Sequence, residues 1–533
     1  MKISVKIRGV DISEYTVVYP ANYTDEQADD VKKLFGSLSK ALDENIAVCS
    51  QAAPDKNIYI GHGFDDDQSQ LGSLDYVKRM VDSDIYLYGN GFWGDIKAVY
   101  SFVRCDIGLD YSGELIRPIT DIIDLNVVYK YKEPIIDIAG TCNMGHLFTG
   151  EEQFFVLLKE GGINRITINI LNITVPDKLT MHEFMVLLTV YEIRVLWFDN
   201  AVKERPAESM DYHAPVGSEY FHACLECPMT VGHYIWDEPG IDMFAAAARA
   251  AAGYKAAHPD KVAFVNMLPY YAAPAAFDFK GIEHYTEEFM KVIKPEEAWF
   301  DIYPFHDDGT TKERYVDNTA IVADAALRYG VPFGVYIQST AFANCRYPTG
   351  RDLSLQFWLC LAFGARLIEL FTYTTYMEGG PESFGLALID KDRNPTPTYY
   401  DGQRVIADIR YFEGIYGGYR FLGAFSKNCN EGEWNYHTQQ YKDFSAIKLV
   451  DASAPVLVGC FEGENGKKAF CAVNVSDVTE DADKAINVSF KTDSDVLVYQ
   501  ACKCTHLCAD AEGIVTLTLN TAEGAFVEIF ESK

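Results

Sequence analysis

Basic residues are scarce in this chain of 533 residues: 46 lysines and arginines stand against 77 aspartates and glutamates, a formal net charge of −31. A field of that sign repels nucleic acid, anionic membrane surfaces and polyphosphates, so none of these is expected as a partner. Long apolar runs are missing as well. The stretch near Phe184–Phe198 is broken by Glu192 and Arg194, and no uninterrupted run is long enough to span a bilayer. The first residues, Met1–Ile7, alternate polar and apolar as a strand does and lack the apolar core of an export signal. The 13 cysteines are odd in number and scattered. Without an export signal, that pattern implies reduced thiols and a cytoplasmic location.

Metal-ligand spacing is also incomplete. His222, Cys224 and Cys227 form one grouping, and Cys502, Cys504, His506 and Cys508 another. Neither shows the second ligand pair that a tetrahedral zinc site usually needs, so no metal and no cofactor are expected. An oligomeric state is not specified by these features, and a homodimer is compatible with them.

What is present is a well-packed globular composition, 48% hydrophobic with 14% aromatics. The length calls for more than one core. Residues 1–130 read as an α/β unit, with strand-like Ile3–Ile7, Ile58–Ile60 and Ile85–Tyr88 and a helical pattern over Asp25–Leu42. Asp84–Gly89 then leads through Gly91 into a helix beginning near Phe92, a strand, a glycine turn and a helix. This unit resembles the small non-catalytic domain that precedes the barrel in family 20 β-hexosaminidases and in α-glucuronidases.

Between residues 131 and 423, short apolar runs alternate with helical segments. They are Ile135–Ala139, Ile163–Ile170, Ile193–Phe198, His233–Trp236, Val262–Met267, Trp299–Tyr303, Phe333–Ile337 and Leu367–Phe371. Eight such units at a spacing of roughly 30 to 40 residues predict a closed (β/α)8 TIM barrel. From 424 to 533 helical patterns cease and strand patterns follow one another, which predicts an appended antiparallel β-sandwich.

In a barrel of this kind chemistry sits at the C-terminal ends of the strands. The fourth run ends in Trp236-Asp237-Glu238-Pro239. Adjacent carboxylates beside an aromatic ring repel each other and lose water, which raises a pKa as a general acid requires. Glu238 is therefore expected to be the acid and the 237–238 couple to be shielded from water. Asp301 and Tyr303 lie at the sixth strand end, Asn266 and Tyr270 at the fifth, and Trp197 and Asn143 near the third and first. Gln338 follows the seventh run, and Glu369, Phe371 and Tyr373 lie in or after the eighth. Carboxylates, amides and aromatic faces together suit a carbohydrate, whose hydroxyls need polar partners and whose C–H faces stack on rings.

Asp237-Glu238-Pro239 and Asp301-Ile302-Tyr303-Pro304 resemble the strand ends of barrel glycosidases, among them the retaining superfamily that includes family 42 β-galactosidases. That group carries a glutamate nucleophile at the end of strand 7, where this chain has Gln338. The adjacent Asp-Glu pair is similar instead to families 20 and 123, the β-N-acetylhexosaminidases. That resemblance implies Glu238 as acid and Asp237 orienting the substrate's own acetamido group as nucleophile, a known exception to the two-carboxylate scheme. His233-Tyr234-Ile235-Trp236 departs from the H-x-G-G that precedes the pair in family 20. Two further readings stand beside it. One is a β-galactosidase-like exo-glycosidase pairing Glu238 with Asp301 or Glu369; the other is a non-catalytic carbohydrate-binding barrel.

Overall fold

The computed structural model describes residues 4–63, 68–117, 119–142, 151–169, 179–198, 219–311, 314–376, 384–428, 444–476 and 485–530. At its centre eight parallel strands close on themselves in sequence order. They are β1 (Asp137–Cys142), β2 (Arg165–Asn169), β3 (Arg194–Phe198), β4 (Thr230–Trp236), β5 (Val262–Met267), β6 (Ala298–Asp301), β7 (Phe333–Gln338) and β8 (Leu367–Phe371). Strand β8 pairs with β1, Glu369 opposite Ala139, and this closes the barrel. The eight runs read from the sequence are these eight strands.

Alternation along each strand divides the side chains between the barrel interior and the helical layer outside it. Leu196, Tyr234, Phe264, Trp299, Tyr336 and Leu367 form the inner cluster. Their neighbours Val195, Trp197, Ile235, Val265, Phe300, Val335 and Ile368 pack outward against the helices. Below the mouth the interior is polar. Arg165, fully buried, meets Asp137 at 3.2 Å and Glu297 at 3.5 Å, with its guanidinium 5.4 Å from the Trp299 ring.

Before the barrel lies a six-stranded mixed sheet and a smaller three-stranded one. The helix Phe92–Ser101 follows the strand Asp84–Gly89 through Gly91, whose φ is 95°. Gly94 passes so close to that strand that a β-carbon on it would lie 2.8 Å from the Gly89 Cα. Only glycine fits there.

After the barrel, six- and three-stranded antiparallel sheets enclose an apolar cluster that includes Phe470, Phe490 and Val527. The first strand of this sandwich is Tyr419–Lys427, so it starts ahead of the boundary expected at 424. Strands Lys448–Ala452 and Lys503–Leu507, not predicted from the sequence, complete it. The sandwich rests on two barrel helices: a β-carbon on Gly459 would lie 1.9 Å from the Ala362 carbonyl of Gly350–Ala362, and Phe526 stacks at 5.9 Å on Phe412 of Pro397–Tyr416. Among the described residues no helix is long and apolar enough to cross a membrane. The 12 described cysteines are free thiols.

Candidate active site

Strand β4 hands the chain to the mouth of the barrel at Asp237-Glu238-Pro239. Glu238 has φ 48°. A β-carbon makes that left-handed conformation costly, of order 1–3 kcal/mol, and such strain persists only where neighbours enforce it. Here they do. The Glu238 N–H donates to the Asn266 carbonyl at 3.1 Å, and the Tyr285 hydroxyl donates to the Pro239 carbonyl at 2.9 Å.

Asn266, on the inward side of β5, donates through Nδ2 to Asp301 Oδ1 at 2.9 Å. Asp301 is the last residue of β6, only 7% exposed, and its carboxyl hydrogen-bonds that of Glu238. Two carboxyl groups can share a hydrogen bond only if one carries a proton. Burial, then the charge of Glu238 and its hydrogen bond, then the charge of Asp237, hold Asp301 well above the usual carboxylate range. Of the two, Asp301 is the carboxyl that its surroundings favour in the protonated form. Asp237, half-buried, accepts a hydrogen bond at Oδ1 from the Tyr234 hydroxyl at 2.7 Å.

This arrangement corrects one expectation. The 237–238 couple is not shielded from water as a unit, because Glu238 is exposed. The water-starved carboxyl is Asp301. The reason is position: Asp301 is still within its strand and points into the barrel, whereas Glu238 lies beyond the end of β4 on the rim.

Four other expected site residues lie elsewhere. Trp197 is on the outward side of β3, fully buried against Phe184 and donating to Thr230 Oγ1 at 2.9 Å. Tyr373 is fully buried beneath the helix Glu152–Glu160, its ring 6.2 Å from that of Phe154. Glu369 sits inside the barrel below the mouth, accepting from Thr141 at 2.6 Å and Thr167 at 3.0 Å. Burial lifts it to about 6 against the pull of Thr141 and Arg165. It is a packed structural acid with no access for a substrate.

Gln338 is fully buried as well. Its amide oxygen accepts from the Phe305 N–H at 2.9 Å, and its Nε2 donates to the carbonyls of Phe305 at 3.1 Å and Arg346 at 2.7 Å. The side chain ties two mouth loops together and has nothing left for a sugar. Gln338→Leu should therefore cost about 3 kcal/mol, since it orphans several buried backbone groups. Urea denaturation will show that loss, and KM for any glycoside turned over should stay near the wild-type value.

Tyr303 and Phe371 do meet at the mouth, ring centroids 5.1 Å apart, and Phe342 and Phe384 extend the aromatic patch. Trp236 is half-buried against the outer layer. Tyr270 packs edge-on to Tyr271 under the Arg314 guanidinium. Asn143 is outside the described residues. Tyr234 was absent from the expected set. Tyr271 is 40% exposed, and its hydroxyl lies in the field of Asp301 and Glu238 and accepts from the Tyr303 N–H. Tyr234 could have been found by counting alternate residues along β4. Cys224 and Cys227 are buried in the outer layer.

No protein-family model matches the chain, and no curated protein is similar to it in sequence. Solved structures are similar in fold. A β-galactosidase from the psychrophilic Marinomonas ef1 is 12% identical with a TM-score of 0.38, over 52% of this chain and 60% of that one. A β-galactosidase from Bacillus circulans sp. alkalophilus is 9% identical with a TM-score of 0.47, over 74% of this chain and 99% of its own. The endo-β-1,4-mannanase from Thermotoga petrophila is 10% identical with a TM-score of 0.35, over 73% and 98%. The chain spans 60% of the length of the Marinomonas protein and 58% of a β-galactosidase from the haloarchaeon Halorubrum lacusprofundi. The strand topology of the chain itself defines a (β/α)8 barrel with an α/β unit before it and antiparallel sheets after it.

Proposed function

We propose that this protein is a glycoside hydrolase that removes a terminal β-linked N-acetylhexosamine. Glu238 acts as general acid and then base, and Asp237 orients the substrate's acetamido group. The observation that carries this reading is the contact of Glu238 with Asp301 beside Asp237. Two carboxylates that flank a glycosidic bond stand at least about 5 Å apart. A hydrogen-bonded pair leaves no room for the sugar between its members. Asp301 then serves to keep a proton on the pair, and the exposed Glu238 delivers it to the glycosidic oxygen. Asp237, turned by the Tyr234 hydroxyl, is a ready acceptor for an amide N–H. The amide attack on the anomeric carbon replaces a protein nucleophile, which the buried Gln338 and Glu369 do not supply.

The reduced thiols and the acidic charge fit a cytoplasmic protein acting on a small neutral glycoside. A second reading keeps Asp301 as a catalytic carboxylate opposite Glu238, as in a β-galactosidase-like exo-glycosidase; its place at a strand end favours this, and the two carboxyls would then have to part when a sugar enters. A panel of aryl glycosides separates the two. We expect turnover of a β-N-acetylhexosaminide at least 100-fold faster than of the matching hexoside. Faster cleavage of the hexoside would favour the two-carboxylate reading, and no turnover of any glycoside would favour the carbohydrate-binding reading.

A further inference from the structure

We infer that Asp495, His506 and Cys508, at the edge of the C-terminal sandwich, form a binding site for a transition-metal dication, zinc by preference. The sequence places His506 and Cys508 two residues apart, hence on one face of an extended chain. Two ligands are too few, and the third comes from the neighbouring strand. Lys503–Leu507 runs antiparallel to Val496–Gln500 with Leu507 opposite Val496, so the next pair outward brings Asp495 opposite Cys508. The three donor atoms all lie within 4.8 Å of one another, and no other such trio of histidine, cysteine and acidic side chains occurs among the described residues. His506 Nε2 is 3.0 Å from Asp495 Oδ2, and the Cys508 thiol hydrogen-bonds the same carboxylate.

Tetrahedral zinc with bonds of about 2.0–2.3 Å needs donors roughly 3.4–3.8 Å apart, within reach of small side-chain adjustments here. One imidazole, one thiolate and one carboxylate also neutralise a dication. A thiolate in the set disfavours magnesium and calcium, which prefer oxygen ligands. Support for the ligands is already in place. Asp495 Oδ1 accepts from the Ala509 N–H at 3.0 Å, and the Asp495 carbonyl accepts from the Phe530 N–H at 2.8 Å. Asp495 and His506 line a cavity of about 910 Å³ together with Asp493, Asp510 and Glu512, which leaves room for water or another ligand in the fourth position.

The full chain, stripped with EDTA and titrated with zinc chloride, should take up one equivalent that resists gel filtration. Cobalt(II) chloride should give a thiolate-to-cobalt charge-transfer band. Asp495→Ala, His506→Ala and Cys508→Ser should each weaken zinc binding at least tenfold, and Cys508→Ser should abolish the band. Because all three side chains lie at the exposed sheet edge, the variants should fold as the wild type does, which circular dichroism checks. Zinc uptake by wild type that the three variants leave unchanged, or no uptake at all, would overturn the assignment.

Discussion

Glu238→Gln should lower kcat about 100- to 10,000-fold on an alkyl glycoside, the range that a positioned general acid contributes. The loss should shrink sharply on an aryl glycoside with a strongly acidic phenol. Such a leaving group departs without a proton, so the acid is no longer needed at that step. The glutamine keeps the volume of the side chain and its capacity to hydrogen-bond Asp301. The fold and KM should therefore change little. Parallel kinetics on the two leaving groups check the idea, and an equal loss on both would show that Glu238 does not protonate the leaving oxygen.

Asp301→Asn should move the alkaline limb of kcat/KM to lower pH by one unit or more. Burial and the neighbouring charge of Glu238 favour a proton on Asp301, and on the proposed mechanism activity should last until that proton is lost. An amide at 301 removes the like charge and donates a hydrogen bond to the Glu238 carboxylate, so that exposed group gives up its proton at lower pH. Activity at neutral pH should fall by about tenfold or more for each unit of the shift.

The same substitution has an opposite signature in stability. The folded state raises the pKa of Asp301, so the unfolded chain releases this proton first as pH rises. The wild type thus loses stability between the ordinary carboxylate value and the raised value of Asp301. The Asn variant has no such group and should be relatively more stable above that window. Urea melts across pH separate this from mere damage to the site, because a structural defect would weaken the variant at every pH.

The eight strands were visible in the sequence because each is a short apolar run between helical segments, and their number and spacing favour a closed barrel over a doubly wound sheet. Which face of each strand looks inward was not visible. Strands buried on both sides are apolar throughout, so Leu196 and Trp197 look equivalent in sequence, although one fills the barrel and the other packs beneath the helices. The burial of Tyr373 was likewise not visible, whereas the place of Glu369, deep in the barrel near Arg165, could be read from its position within the last strand. Gln338 was misplaced for a different reason. It ends a strand on the inward side, but two loops, one 33 residues earlier and one 8 residues later, consume its amide. The edge strand Lys503–Leu507 escaped notice because it is polar and exposed, and with it the meeting of His506 and Cys508 with Asp495.

The sequence by itself determined the barrel, its flanking sheets and the presence of carboxylates at the ends of β4 and β6. These follow from local periodicity and strand-end position. Only the tertiary structure decided which carboxyl is dry. Closing the barrel brings Asp301 against Glu238 across strand β5, and the free energy of a proton depends on that spatial neighbour and on lost water, neither of which is written in the order of residues.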